Sequence, residues 1–489
     1  MATSEKPVSQ AGRQSAKLTL LFTAAGILAG LYAALVASVS DYRVALVLVA
    51  APVALAVLGL KGASRIYLII LVVSLSFGAR FRFGVAEVHQ GGAEAVLAPL
   101  DFPLFGLLFL WLAELITRPQ RLTFRVSRVG IAFFLLVLAY YVSVFVAYDT
   151  NLALLELLRL FKVGLLILVI RHYVKTENDL LLVLGVLLGT LIAQGLLVVS
   201  QSFFDTSLGL GFLGENDALF IQERGAIAVT RAGGTLGHPN VLGYFCEMVL
   251  PIALAVFLWR ERGGLKMIAL SALGLGLLGA FLTYSRATWV AVLIGLFIAS
   301  AATMLIRKRG RARNLGYIAV VLLGVAAIGF VFKDAIIQRL EVFSSGSWDF
   351  RLQTFGIAWN MIRAHPFLGI GANSYLAALP YYNSAGITSA AAQFPVHNIF
   401  LLLTSETGLF GFITFIILLM AIASRAVHTM KTGPALSTAT AIGVLAGAIA
   451  IVAHTMLDWL FRFDPVYMLF WFSVGLVLAA GQIQKKSST

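Results

Sequence analysis

The chain has 489 residues, 60% of them hydrophobic and 12% charged, whereas a soluble globular protein carries about 25% charged residues. Its net charge of +14 would suit nucleic acid, but the lysines and arginines gather in polar links on one side of a series of apolar segments, so no nucleic-acid partner is expected. The single cysteine, Cys246, leaves no internal disulfide and no thiolate metal cluster.

The apolar segments run to about 20 residues, the length that carries a helix across ~30 Å of hydrocarbon, and they lack the alternation of barrel strands. They fall at roughly 18–39, 43–60, 66–79, 97–117, 129–148, 153–170, 180–200, 239–259, 267–284, 288–306, 314–332, 398–424, 434–454 and 465–483. The chain thus reads as an all-α polytopic membrane protein of about 12–14 transmembrane helices. The first segment follows Lys6, Arg13 and Lys17 and is longer than a signal-peptide core, so an uncleaved span is expected. The third is short, and the sixth contains Arg159 and Lys162, both costly against lipid. The basic clusters at 118–128 and 307–313 and the pair Lys485-Lys486 lie on the same side as the N-terminal tail, which puts both termini in the cytoplasm.

Three regions follow: a transmembrane bundle over 1–332 with a smaller outer loop at 201–239, a large periplasmic loop over 333–397, and C-terminal transmembrane helices over 398–489. In the large loop, the stretch from Arg351 to Arg363 sets Leu352, Phe355, Trp359 and Ile362 at helical spacing, which predicts a short amphipathic helix at the membrane surface. Pro366, Gly369 and Gly371 then end it and allow a tight turn.

The residues able to do chemistry collect on the outer side. Arg286, beside Ser285 at a span end, either snorkels to headgroups or offers its fork of donors to phosphate oxygens. Arg351 is a second such cation or a partner for Asp349; Arg339 and Arg363 face headgroups or ligand. His397, at the mouth of the twelfth span, titrates near neutrality and can take a proton from a hydroxyl, or is an interfacial polar residue. Arg231 and His238 flank a glycine-rich turn that lets a ligand approach the backbone; His238 is otherwise a helix cap before Pro239. Glu247 and Glu406 lie within spans, where a bond to a neighbouring helix competes with proton coupling. His454, Asp458, Arg462 and Asp464 read as a polar connector, the last two as a local ion pair. No Asp-x-Asp pair, Cys/His cluster or Gly-x-Ser-x-Gly elbow occurs, so no metal, no cofactor and no serine triad are expected.

Several of these residues stand in ordered motifs: Thr283-Tyr-Ser285-Arg286-Ala-Thr-Trp289, Arg351-Leu-x6-Trp359, His365-Pro-Phe-Leu-Gly369-Ile-Gly371-Ala-Asn373-Ser-Tyr375, His397-Asn398-Ile-Phe-Leu401 and Glu406-Thr-Gly408-Leu-Phe-Gly411. Together they resemble the bacterial O-antigen ligase and O-antigen polymerase family, and Thr235-Leu-Gly-His-Pro-Asn240 resembles exopolysaccharide-polymerase-like members. The resemblance covers about 235 to 411 and implies a GT-C-like glycosyltransferase of the bacterial inner membrane that works without metal. Its donor would be an undecaprenyl-diphosphate-linked glycan, and its acceptor a growing glycan or lipid A core. By position, Arg286 and Arg351 would hold the diphosphate and His397 would act at the acceptor hydroxyl or leaving phosphate, with Arg231, His238, Arg339, Arg363 and Tyr375 lining the substrate. Ala287 departs from the glycine common after Ser-Arg, and the spans outnumber those typical of ligases, which leans towards polymerase. The rival from another class, a transporter or flippase of lipid-linked saccharides, would favour charges deep in the bundle and repeated halves.

Overall fold

The computed structural model describes residues 62–82, 96–117, 127–224, 227–260, 262–307, 310–331, 333, 337, 345–383 and 394–483. The spans expected at 18–39 and 43–60, and Arg339, lie outside these residues. Two compact units are formed, one from 1–71 with 100–125 and the other from 72–99 with 126–489. The first contains most of α1 (Ala63–Ser74) and all of α2 (Asp101–Thr117), where Tyr67 meets Phe102 edge-on at 6.0 Å.

The second unit carries α3 (Arg128–Val144), α4 (Thr150–Tyr173), α5 (Glu177–Phe204), α6 (Pro239–Trp259), α7 (Gly264–Leu282), α8 (Arg286–Ile306), α9 (Arg311–Val331), α10 (Ser345–Ala364), α11 (Tyr375–Tyr382), α12 (Ile399–Thr432), α13 (Ala435–Thr455) and α14 (Asp464–Ala480). Two antiparallel ribbons accompany them, β1 (Phe81–Arg82) with β2 (Val96–Leu97) and β3 (Phe220–Arg224) with β4 (Ile227–Arg231). Among the described residues seven helices, α5 to α9, α12 and α13, are long and apolar enough to cross a membrane. The protein is therefore an all-α, multi-pass membrane protein.

The helix α6 is apolar on every side, and its residues from Val241 to Leu258 are all buried, as expected of a core helix. It packs against α13 at small residues. A side chain added at Gly443 would meet the Ile252 Cα at 2.4 Å, and one at Gly447 the Met248 carbonyl oxygen at 2.8 Å. Small residues four apart let two backbones approach where lipid supplies no hydrophobic drive. On the outward faces of α8 and α9, Phe297 and Leu323 are exposed, as lipid-facing side chains would be.

Three expectations shift. The apolar segment at 66–79 is helical only to Ser74, about 18 Å of helix and too short to span. Beyond it the chain turns at Leu75 and Ser76, and Gly78 and Ala79 donate to the carbonyls of Thr235 and Leu213. The helix expected over 351–363 is the longer α10, and the side it buries holds Thr354, Ile357, Ala358, Met361 and Ile362, leaving Leu352 and Trp359 exposed. Packing against α11 and α12 claims one apolar side, so the other remains for the membrane surface. The described residues of the stretch 201–239 are held by glutamines of α5: Gln194 accepts from the Thr235 amide, and Gln201 accepts from the Gly234 amide.

α12 is broken inside. Gly408 takes φ 65, in the left-handed region. The loop at 366–371 fills the break: Ile370 and Gly371 donate to the Ser405 and Glu406 carbonyls, and Leu409 and Phe410 donate to those of Pro366 and Phe367. Irregular backbone inside a membrane bundle survives only where protein pairs it, and this loop supplies that pairing. The glycines of two separate sequence motifs thus serve one contact: a side chain at Gly408 would sit 2.2 Å from Phe367, and one at Gly369 would sit 2.4 Å from Glu406.

Candidate active site

The site is built where four segment ends meet. His238 caps α6, its Nδ1 accepting from the Asn240 amide at 3.1 Å, and Pro239 starts the helix without needing a donor. Arg231, at the end of β4, donates through Nε to the Thr283 carbonyl at 2.8 Å and through Nη2 to Asn240 Oδ1 at 2.7 Å. Asn240 in turn donates to Asp458 Oδ2 at 3.2 Å. Asp458 lies in the connector between α13 and α14, its other oxygen accepting from the Trp459 and Leu460 amides.

Asp458 is the common carboxylate of the group. Its charge acts on His238, Arg351, His397 and His454, and Arg351 also feels Arg286. Arg286 is the first residue of α8, directly after Ser285, whose side chain caps the helix, and Tyr284, held at φ 49. Behind Asp458, His454 donates or accepts through Nδ1 with Glu247 Oε1 at 2.7 Å, faces Asp458 Oδ2 with Nε2 at 3.8 Å and stacks on Tyr244 at 4.2 Å. Arg231 is thus joined to Asp458 through Asn240, His238, Arg351 and His397 share the field of Asp458, and Arg286 acts on Arg351.

Two features of the electrostatics matter for chemistry. Burial, with the Arg351 charge, holds His397 below the ordinary imidazole range, against the opposing pull of Asp458 and the bond to the Pro395 carbonyl. A neutral imidazole at pH 7 can accept a proton. Burial also lowers Arg351, as does Arg286, yet an arginine stays cationic. Burial and Arg231 push His238 down to about 4, so it too is neutral.

Other expected residues are placed differently. Tyr375 is buried, its hydroxyl donating to the Thr354 carbonyl at 3.2 Å and its amide to Glu406 at 3.3 Å, which makes it a tie between α10, α11 and α12. Arg363 is exposed, about 18 Å along α10 from Arg351. The local pair expected between Arg462 and Asp464 is replaced by a buried network. Arg462 makes two 2.9 Å bonds to Glu406 and lies 3.4 Å from Glu156; Arg159 bonds Glu156 at 2.8 Å and reaches Asp464 at 3.4 Å. Arg159 is thus paired inside the protein instead of facing lipid, and a cavity of about 30 Å³ adjoins the network. The sequence reading passed over Asp458 and Asn240 as functional groups. The signal was present in His454-x3-Asp458, which a helix end presents on one side.

No curated protein matches the chain. The family model for O-antigen ligases matches residues 269–416, a stretch running from α7 into α12 that contains Arg286, Arg351, His397, the 366–371 loop and Gly408. Residues 269–416 of this multi-pass membrane protein are thus similar to the O-antigen ligase family, and the match supports that family for this part of the chain.

Proposed function

We propose that the protein is a membrane glycosyltransferase that moves a glycan from undecaprenyl diphosphate to an acceptor hydroxyl at the outer face of the inner membrane. The observation that supports this reading is that Arg351 and His397 share the field of Asp458 while Arg286 acts on Arg351. Two fixed cations suit a diphosphate, whose negative charge grows as the anomeric C–O bond breaks. His397 accepts the proton of the acceptor hydroxyl as its oxygen attacks the anomeric carbon from the opposite side. The glycosidic bond forms with inversion, and undecaprenyl diphosphate leaves as the anion held by Arg286 and Arg351. Asp458 stabilises the imidazolium so formed, as a carboxylate beside a histidine does. Removing a general base of this kind costs typically ~10²–10⁴ in rate.

The test uses the purified protein in nanodiscs with undecaprenyl-diphosphate-linked repeat units, in buffer with and without EDTA. Transfer with inverted anomeric configuration, unchanged by EDTA and lost in a folded His397→Ala variant, is the expected result; a retained configuration or full turnover by His397→Ala refutes the mechanism. Elongation of the repeat units alone identifies the acceptor as the growing glycan, and transfer that requires added lipid A core identifies a ligase. A flippase would instead move the lipid-linked saccharide across the bilayer with the anomeric C–O bond to its diphosphate intact.

A further inference from the structure

Beyond the Asp458 group the structure carries a second cluster of chemically able side chains, on α11 and the segment ends beside it. Tyr148 follows α3, His365 follows α10, and Tyr381 and Tyr382 end α11. The Tyr148 hydroxyl bonds the Tyr382 hydroxyl at 2.9 Å, and Tyr382 bonds His365 Nε2 at 2.8 Å. The rings of Tyr381, Tyr382 and His365 gather around that of Tyr148 at 5.6, 6.2 and 6.5 Å. Tyr148 and Tyr381 are 44% and 75% exposed, so the rings are presented outward and are not packed away. The cluster is nevertheless seated: Tyr148 donates its amide to the Ile370 carbonyl at 3.1 Å, in the same loop that fills the α12 break.

We propose that Tyr148, Tyr381, Tyr382 and His365 form a stacking platform for a pyranose unit of an oligosaccharide. This subsite rests on the glycosyl-transfer reading for its place in the reaction, but its binding can be measured without transfer. The C–H bonds on one face of a pyranose carry partial positive charge and meet the negative face of an aromatic ring, while the sugar hydroxyls need polar partners at the rim. This cluster has both. Its hydroxyls are joined to one another and to an imidazole, and burial with the Tyr148 bond pushes Tyr382 up to about 12, so its hydroxyl keeps its proton. Interfacial tyrosines that only anchor a helix direct separate hydroxyls to headgroups, whereas here the polar heads converge. The platform also lies at the far end of α10 from Arg351, about 20 Å of helix between Arg351 and Ala364. A sugar there is several units from the reacting bond, so the ligand is a chain and not a monosaccharide.

The experiment titrates the detergent-purified full chain, by saturation-transfer NMR, with lipid-free oligosaccharide released by mild acid from the cell's own lipid-linked glycan. Inorganic pyrophosphate serves as a separate probe. The wild type should bind the oligosaccharide. Tyr381→Ala and Tyr381→Leu should weaken it about tenfold, Tyr381→Trp should keep it, and pyrophosphate binding should be the same in all four. Absent oligosaccharide binding by the wild type, or equal binding by Tyr381→Leu, overturns the platform. So does a Tyr381→Ala protein that loses membrane insertion while Tyr381→Leu restores it, because the ring is then a lipid anchor. Tyr381-dependent oligosaccharide binding by a protein that transfers no glycan upholds the platform and refutes the proposed reaction; transfer with Tyr381-independent binding does the reverse.

Discussion

Asp458 gives Arg351, His238 and His397 a shared counter-charge, and this makes the site's pH dependence a readout of its geometry. The acidic limb of the rate–pH profile should follow His397 losing its proton. Arg351 holds His397 down and Asp458 holds it up, so the two neutralising variants should move that limb in opposite directions. Arg351→Gln should shift it to higher pH and Asp458→Asn to lower pH, in profiles of the transfer rate; a shift of the same sign in both would separate these residues from His397. Arg286, Arg351 and His397 were legible as residues because cations and a histidine stand out against so apolar a background. Asp458 was not, because its importance comes from α6 and α13 packing side by side, which lays Asn240 against it from a distant part of the chain.

The element that organises the site is the broken α12 with its inserted loop. Gly408→Ala and Gly369→Ala should each lower thermal stability in nanodiscs. Each forces a left-handed backbone on a residue with a Cβ, for about 1–2 kcal/mol, and drives that Cβ into the facing backbone as well. Glu406→Gln should cost roughly 3–5 kcal/mol, since it leaves Arg462 buried beside an incomplete partner set, while Glu406→Leu with Arg462→Leu should cost less than either change alone. Chemical denaturation monitored by tryptophan fluorescence would check both. Helix α6 follows the sequence expectation of 239–259 because His238 and Pro239 mark its start and the apolar run sets its length. The pairing of the 365–375 and 406–411 motifs was out of reach, since nothing in a glycine's spacing says which distant backbone it must touch.

The bundle as a whole is held by close backbone contact in its centre and apolar side chains on its rim. Gly443→Leu should force α13 away from α6 and reduce the folded fraction recovered from membranes, as measured by size-exclusion chromatography. Phe297→Arg, at the middle of the outward face of α8, should disfavour insertion by roughly 3 kcal/mol, checked by glycosylation mapping of the inserted fraction. The rival transport reading looked for charges deep in the bundle, and the Glu156–Arg159–Arg462–Glu406 network is a buried charge system. It joins the connector that carries Asp458 to α4 and to α12 beside its break, and it ties those segments together. This tie gives the stitched helix break a mechanical meaning. The strap that plugs α12 is bonded to the Glu406 backbone, the Glu406 carboxylate grips Arg462, and the short turn Leu460–Arg462 donates its first amide to Asp458. The strap, the α12 break and the connector that holds Asp458 are thereby joined in one continuous series of bonds.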